Sequence, residues 1–160
     1  MKRTKKRRPR KQPLFTIGYE QAKPAAVLAE LKRAKVDVVV DTRAVAASRR
    51  PGFSKRQLAA ALDDAGILYL HLQKLGTPAE GRQAARAGDF DTLWRIYDKH
   101  LAKPDPQREL DALVALIKSK QRVSLLCYCR NPDTCHRSRI VDSLRRRIAI
   151  EVEHLIPPLF

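Results

Sequence analysis

The residues with the greatest chemical potential lie in one short segment, between a strand and a helix that the sequence predicts. All three cysteines of the chain fall there, together with one histidine and two arginines. They are Cys127, Cys129, Arg130, Cys135, His136 and Arg137. A loop that only connects two elements does not need reactive side chains at this density. The segment therefore predicts a functional site, with thiols as candidate nucleophiles or metal ligands and arginines as candidate anion ligands.

Cys135, His136 and Arg137 are expected in the first turn of the helix that follows. Free backbone N–H groups and the helix dipole favour an anion there, and Arg137 would add a bidentate contact to phosphate or carboxylate. The same surroundings would lower the pKa of the Cys135 thiol, which makes it a candidate nucleophile. His136 is a candidate acid or base. Adjacent helical residues do not face each other, however, so His71 is the better-placed partner for Cys135. A plain packing role for Cys135 stays open.

The three cysteines and His136 also have the donor types of a tetrahedral zinc site. Their spacing, Cys-x-Cys followed by five residues and Cys-His, matches no common zinc pattern. No metal ligand is therefore assigned and no cofactor is predicted. An odd number of cysteines also argues against a disulfide framework. Zinc binding or redox sensing remains the lesser alternative for these thiols.

Further polar residues follow the other predicted strands, and in open α/β sheets functional sites lie beyond the carboxyl ends of strands. Asp41 is a candidate general base or metal ligand, or else the ion-pair partner of Arg43. His71 is a candidate acid or base, or else a core histidine with its hydrogen bonds satisfied. The candidates for binding the anion or substrate are Tyr19, Arg43, Ser48, Arg49 and Arg137.

Hydrophobic patterning predicts the elements that would position these groups. Apolar strands are expected over residues 14–18, 36–41, 67–72, 123–128 and 148–155, with helices starting near Pro24, Ser54, Asp89, Asp105 and Asp133. Ser54 and Gln57 predict a capping box, and residues 73–88 are predicted to form a loop. The alternation predicts one α/β domain over residues 14–160. It would have three layers, with a mainly parallel sheet of about five strands covered by helices on both faces.

The charge of the chain indicates a polyanionic partner. The net charge is +16, and residues 1–11 contain eight lysines or arginines and no acid. The rest of the chain still has 25 basic against 17 acidic residues. Such an excess attracts nucleic acid or a nucleotide through its phosphates. Residues 1–13 are predicted to be a disordered basic tail, with nucleic-acid contacts from Lys5, Lys6, Arg7 and Arg8.

The sequence contains no apolar stretch of the roughly 20 residues that cross a bilayer. The basic start is not followed by the apolar region of a secretory signal. We therefore expect a cytoplasmic protein without a membrane partner, and the sequence does not predict its oligomeric state.

Several short segments, in order, resemble the family catalogued as domain of unknown function 488. They are Thr16-Ile17-Gly18-Tyr19, Val40-Asp41-Thr42-Arg43, Ser48-Arg49 with Pro51-Gly52-Phe53-Ser54, His71-Leu72 with Leu75-Gly76, and Leu125-Leu126-Cys127 with Cys135-His136-Arg137. The resemblance covers residues 15–155 and implies a compact cytosolic α/β domain, mostly prokaryotic, with no established activity. The recurring polar residues of the family correspond here to Asp41, Arg43, Ser48, Arg49, His71, Cys127, Cys135, His136 and Arg137. Many members have Glu where this chain has Cys129, so a catalytic or metal-binding role of that glutamate is either altered here or was never essential.

The leading hypothesis is an enzyme, a hydrolase or transferase, that binds a nucleotide or nucleic acid through a phosphate-binding pocket. One alternative is a non-enzymatic nucleic-acid-binding protein that contacts phosphates through its tail and Arg145, Arg146 and Arg147. A second alternative is a cysteine-based zinc or redox module.

Overall fold

A computed structural model describes residues 10–159 of the chain, which form one parallel sheet flanked by α-helices. The strands are β1 (Gln12–Gly18), β2 (Val38–Asp41), β3 (Leu68–His71), β4 (Val123–Cys127) and β5 (Ile150–Leu155). The helices are α1 (Pro24–Arg33), α2 (Lys55–Asp64), α3 (Ala79–Arg86), α4 (Phe90–Leu101), α5 (Pro104–Lys118) and α6 (Arg137–Arg145). Two 3-10 turns lie at Gln73–Leu75 and Pro132–Thr134. The strand order is β3-β2-β4-β1-β5 and every pairing is parallel, which confirms the predicted α/β class.

Helices cover both faces of the sheet. Successive strand residues point to opposite faces, so each strand contributes to two cores. Leu14, Val40 and Leu125 pack with α4, α5 and α6 on one face. Ile17 and Leu126 pack with α1 and α2 on the other. The predicted three-layer arrangement is therefore confirmed.

Strand β4 lies in the middle of the sheet, between β1 and β2, and all five of its residues are buried. Gly18 pairs with Cys127 and Asp41 pairs with Leu126, so the three strands end at the same level. The loops that follow β1, β2 and β4 therefore meet at one edge of the sheet. This is the edge where α/β sheets place their ligands.

The prediction of a loop over residues 73–88 is wrong. The segment contains the Gln73–Leu75 turn and helix α3. Helix α3 is eight residues long and buries only Gly81 and Ala84, so it shows no stripe of large apolar residues. Without that stripe, the periodicity that indicates an amphipathic helix is missing.

The predicted capping box at Ser54 is also wrong. Ser54 precedes α2, but its side chain makes no capping hydrogen bond. Its hydroxyl instead donates to the carbonyl of Ser48 and accepts from the Ser48 N–H group. Gln57 accepts from the N–H of Gly52. The two side chains therefore hold the loop after β2 in place. The predicted cap at Asp89 is confirmed, because its carboxylate accepts from the N–H of Thr92.

The predictions for the N-terminal segment and for membrane-spanning helices can be compared with the described residues. Strand β1 begins at Gln12, two residues before the predicted start of the strand. The predicted tail contacts Lys5, Lys6, Arg7 and Arg8 lie outside the described residues. Within residues 10–159, every helix is too short or too polar to cross a membrane.

Candidate functional site

A cleft of about 600 Å³ lies beyond the carboxyl ends of β1, β2 and β4. Its walls are the loops after these strands and one side of α3 and α4. Five arginines line it, and its described lining contains no aspartate or glutamate. The five are Arg43, Arg49, Arg50, Arg82 and Arg86. We call this feature the arginine cleft, and it is a strongly electropositive concave surface.

Three thiols and an imidazole form the floor of the arginine cleft. The Sγ atoms of Cys127, Cys129 and Cys135 all lie within 4.8 Å of one another, close enough to hold a metal ion together. Nδ1 of His136 lies 3.6 Å from the Cys127 sulfur and 3.7 Å from the Cys135 sulfur. Cys129 is half-buried and the other three residues are buried. We call these four residues the thiol cluster.

The backbone between β4 and α6 explains how the cluster forms. Residues Pro132–Thr134 make a 3-10 turn, in which Asn131 accepts a hydrogen bond from the Asp133 N–H. Cys135 then takes an extended conformation, with φ −108° and ψ 147°, and His136 is the residue that precedes α6. The expectation that both residues lie in the first helical turn is wrong. The inference that Cys135 and His136 cannot face each other fails with it, since the extended residue turns its sulfur towards the imidazole.

Thr42 fixes the orientation of the His136 ring. Nε2 of His136 lies 2.9 Å from the Thr42 carbonyl oxygen and 3.1 Å from its hydroxyl oxygen. A carbonyl only accepts, so Nε2 carries a proton and Nδ1 is the atom that faces the sulfurs. The Thr42 hydroxyl donates in turn to the carbonyl of Leu126. The ring of Tyr97 packs edge-on against the imidazole, with centroids 5.4 Å apart.

The pKa values of Cys135 and His136 are shifted in opposite directions within the thiol cluster. Burial by itself raises the pKa of Cys135, but hydrogen bonds from the Cys127 and Cys129 thiols and the charge of His136 outweigh it, and the pKa is lowered. Burial lowers the pKa of His136, but the Cys127 and Cys135 sulfurs outweigh it and raise the pKa. Hydrogen bonds to Cys127 and Cys135 raise the pKa of Cys129. Without a metal, the directions of these pKa shifts favour a Cys135 thiolate beside a protonated His136.

Arg137 is the first residue of α6 and is 1% exposed. Its Nε donates to the Cys135 sulfur at 3.3 Å, and its Nη2 donates to the Cys129 carbonyl at 2.5 Å. The guanidinium thus stabilises negative charge on Cys135 and holds the Cys129 backbone. These contacts direct Arg137 into the cluster, and its predicted contact with an external anion stays a prediction.

Asp41 and Arg43 form a buried ion pair beside the cleft. Two nitrogens of Arg43 donate to the two carboxylate oxygens of Asp41, at 2.9 and 2.8 Å. The remaining nitrogen of Arg43 donates to the Tyr19 hydroxyl and to the Phe53 carbonyl. Burial lowers the pKa of Arg43, but the bond and charge of Asp41 outweigh it and raise the pKa. The Tyr69 hydroxyl donates to Asp41 at 2.5 Å. Of the alternatives for Asp41, the structure contains the ion pair with Arg43.

The remaining predicted residues divide between the cleft and its surroundings. Tyr19, Ser48 and Arg49 line the arginine cleft. His71 is absent from the described lining, and its Nε2 lies 2.7 Å from the Arg43 carbonyl oxygen. His71 therefore contacts the loop after β2, whereas the contacts of Cys135 are with His136 and Arg137.

Residues 23–144 match the model of the family described as Domain of unknown function DUF488. The chain belongs to the DUF488 family. The match includes the arginine cleft from Arg43 onward and the whole thiol cluster, and it begins after the Thr16–Tyr19 segment of β1. No curated protein matches the chain at a significant level.

Several residues of this DUF488 site were not predicted. They are Thr42, Arg50, Tyr69, Arg82, Arg86 and Tyr128. The position of Thr42 between Asp41 and Arg43 is the one signal that could have identified it. Arg82 and Arg86 have the four-residue spacing of one helix face. That spacing identifies a helix face only within a predicted helix, and the sequence predicts a loop over residues 73–88.

Proposed function

We propose that this DUF488 protein is an enzyme, a hydrolase or transferase, that acts on a nucleotide or nucleic acid. The observation that carries the proposal is the arginine cleft, in which five arginines and no described carboxylate surround one concave surface. Arginine recognises phosphate with two parallel hydrogen bonds, and several arginines around one cleft favour a ligand with phosphate groups.

The arginines divide into structural and accessible groups. Arg43 is held by Asp41, Tyr19 and Phe53. Arg50 donates to the carbonyls of Tyr19 and Ala22, which ties the loop after β2 to the loop after β1. Arg49 and Arg86 are exposed, and half-buried Arg82 donates to the Thr77 carbonyl. We therefore assign phosphate binding to Arg49, Arg82 and Arg86.

A nucleotide fits the cleft better than inorganic phosphate does. A volume of about 600 Å³ lies within the range for drug-sized ligands. Tyr128, 47% exposed, lies on the rim, and the side chain of Val45, 55% exposed, adds apolar surface. Proteins that bind single strands or nucleotides stack the base on such a ring while cations hold the phosphate.

The thiol cluster supports catalysis over simple binding, because perturbed titratable groups on the floor of a cleft are typical of active sites. As free thiols, the cluster would act through Cys135. Its thiolate would attack the substrate phosphorus and form an S–P bond, while the P–O bond breaks and His136 protonates the leaving oxygen. Water or an acceptor hydroxyl would then cleave the S–P bond and free the thiolate. As ligands, the three sulfurs would hold a metal ion instead, and their mutual distances favour this second role. Free cysteines suit the cytoplasm, where we place the protein.

Binding of a fluorescent single-stranded oligonucleotide and of a nucleoside triphosphate tests the proposal. Arg49→Ala and Arg86→Ala should each weaken binding and lower the salt dependence by about one phosphate contact. Arg108→Ala is the matched control, because Arg108 is an exposed arginine outside the cleft. If both cleft variants bind like the parent, the arginine cleft is not the phosphate site.

Deleting residues 1–11 separates the proposal from its non-enzymatic alternative. If the tail provides the affinity, the deletion abolishes oligonucleotide binding and the cleft variants change nothing. If the cleft provides it, the deleted protein still binds and remains sensitive to Arg49→Ala. Product analysis with the same ligands, comparing the parent with Cys135→Ser, tests catalysis.

A further inference from the structure

We propose that Cys127, Cys129, Cys135 and His136 together bind one zinc ion on the floor of the arginine cleft. The proposal does not depend on the nature of the substrate, since it rests on the geometry of the thiol cluster. In a tetrahedral site with Zn–S near 2.3 Å and Zn–N near 2.0–2.1 Å, neighbouring nitrogen and sulfur ligands lie about 3.6 Å apart. Nδ1 of His136 lies 3.6 and 3.7 Å from two of the sulfurs.

The third sulfur completes the set. All three Sγ atoms lie within 4.8 Å of one another, close enough to hold one metal ion together. Three thiolates and one imidazole form one of the closed tetrahedral sets that zinc takes in proteins. The unusual sequence spacing does not prevent this. The 3-10 turn at Pro132–Thr134 and the extended Cys135 fold the later ligands back onto the end of β4.

His136 is already oriented as a ligand. Its Nε2–H donates to the Thr42 carbonyl, which leaves Nδ1 directed at the sulfurs. Metal-binding histidines almost always donate their second ring N–H to a carbonyl or carboxylate in this way. The edge of Tyr97 limits rotation of the ring. The Thr42 backbone therefore has the place of an outer hydrogen-bond partner of a metal site.

The charge around the cluster suits a cation bound by three thiolates. Arg137 is buried, and among residues 10–159 no carboxylate lies within 4.0 Å of its guanidinium. Its Nε lies 3.3 Å from the Cys135 sulfur. Three thiolate charges would be balanced by one Zn²⁺ and this one guanidinium, so the complex would carry no net charge beside the buried Arg137.

The donor types select zinc. Magnesium and calcium take oxygen ligands, and the described lining of the cleft has no carboxylate. Sulfur combined with imidazole nitrogen is instead a donor set that suits zinc. In the zinc-bound protein Cys135 is a ligand, so a zinc site and a free Cys135 nucleophile exclude each other.

Elemental analysis of the full-length protein, produced without an affinity tag that binds metal, tests the proposal. About one zinc per chain is expected. Replacing zinc by cobalt should give the intense sulfur-to-cobalt absorption of a tetrahedral thiolate site, and added zinc should bleach it. This arm uses the unchanged protein, so the result does not depend on whether a variant folds.

Variants then assign the ligands. Cys129→Ser, at the least buried ligand, and His136→Ala should lower zinc affinity, whereas His71→Ala should leave it unchanged. Thr42→Val keeps the carbonyl contact but loses the hydroxyl, and we expect about tenfold weaker zinc binding. Arg49→Ala should retain full zinc, so loss of ligand binding and loss of metal are separable.

Two results would overturn the proposal. One is a purified protein whose zinc content does not exceed that of its buffer and that gives no sulfur-to-cobalt absorption. The other is alkylation of the half-buried Cys129 by iodoacetamide at the same rate in chelator-stripped protein with and without added zinc. Either result would return Cys135 to the role of a free thiolate.

Discussion

The backbone carbonyl of Cys129 lies directly against Gly18. A Cβ atom at Gly18 would be 1.8 Å from that carbonyl oxygen and 2.6 Å from the carbonyl carbon. The same oxygen accepts the hydrogen bond from Arg137. The loop after β4 is thus held between the end of β1 and the start of α6. This contact fixes the position of the Cys129 backbone relative to the other residues of the thiol cluster.

Gly18→Ala should therefore destabilise the protein strongly, by on the order of 3 kcal/mol or more. The overlap is with backbone atoms, so no rotamer change relieves it. Gly66→Ala is the control. Its Cβ would meet nothing within 4 Å, and only the positive φ of +73° adds strain, of about 1 kcal/mol. Urea unfolding of both variants measures the difference. Equal losses of unfolding free energy in the two variants would show that the loop after β4 can move away from the added methyl group.

The buried pair of Asp41 and Arg43 gives a second prediction. Asp41→Asn removes the carboxylate charge and leaves the guanidinium without a counterion, so we expect a loss of about 3–5 kcal/mol. Glu153→Gln breaks the exposed pair with Arg33 and should change the stability too little to measure. Denaturant unfolding at neutral pH compares them. If Asp41→Asn is as stable as the parent, water or another group must replace the carboxylate at Arg43.

Most of the sheet could be predicted, because its strands have strong local signals. The run Val38–Val40 and the apolar end of β4 have the continuous hydrophobicity of strands that are covered on both faces. Two helix starts also have recognisable local signals. Pro24 is a proline in the first turn of α1, and the Asp89 side chain caps α4. Helix α3 lacks such signals, because its two buried residues are a glycine and an alanine.

The candidate site could be predicted in composition but not in geometry. The residues at the ends of predicted parallel strands are expected at one edge of the sheet. Cys127 and Arg43 could be identified in this way. The contact between His136 and Thr42 joins residues 94 positions apart, and no local pattern specifies it. The burial of Arg137 is likewise a tertiary result, since an arginine at a helix start is ordinarily solvated.

Glu109 makes stability depend on pH. It accepts a hydrogen bond from the Leu75 N–H, and burial raises its pKa above the ordinary 4.5 despite that bond. A raised folded pKa contributes stability that is complete below pH 4.5 and is lost as the pH rises through the folded pKa.

Glu109→Gln keeps an acceptor for Leu75 and removes the buried charge. It should therefore stabilise the protein at pH 7 by less than about 1 kcal/mol, because the side chain is partly solvated. The difference should vanish near pH 4. Urea unfolding at both values measures it, and Glu151→Gln, at an exposed position, should have no effect at either. A Glu109→Gln variant that is less stable at pH 7 would mean that the charged hydrogen bond outweighs burial.

Tyr128 gives the most direct test of the base contact in the arginine cleft. Its ring is 47% exposed on the rim and is braced by an edge-on contact with Tyr19, with centroids 5.5 Å apart. Tyr128→Ala should weaken oligonucleotide binding by about 1–3 kcal/mol, the usual contribution of one stacked base. Tyr128→Phe keeps the ring and should bind like the parent. Phe90→Ala removes an exposed ring outside the cleft and should change nothing.

Fluorescence anisotropy at fixed salt measures the three affinities, and thermal unfolding checks that each variant is folded. Because a base stacks on a ring without using its charge, the salt dependence of Tyr128→Ala should equal that of the parent, unlike that of Arg49→Ala. Loss of salt dependence in Tyr128→Ala would mean that the ring only positions a phosphate-binding group. Unchanged affinity would place the base elsewhere in the cleft, and Val45 would then be the next residue to replace.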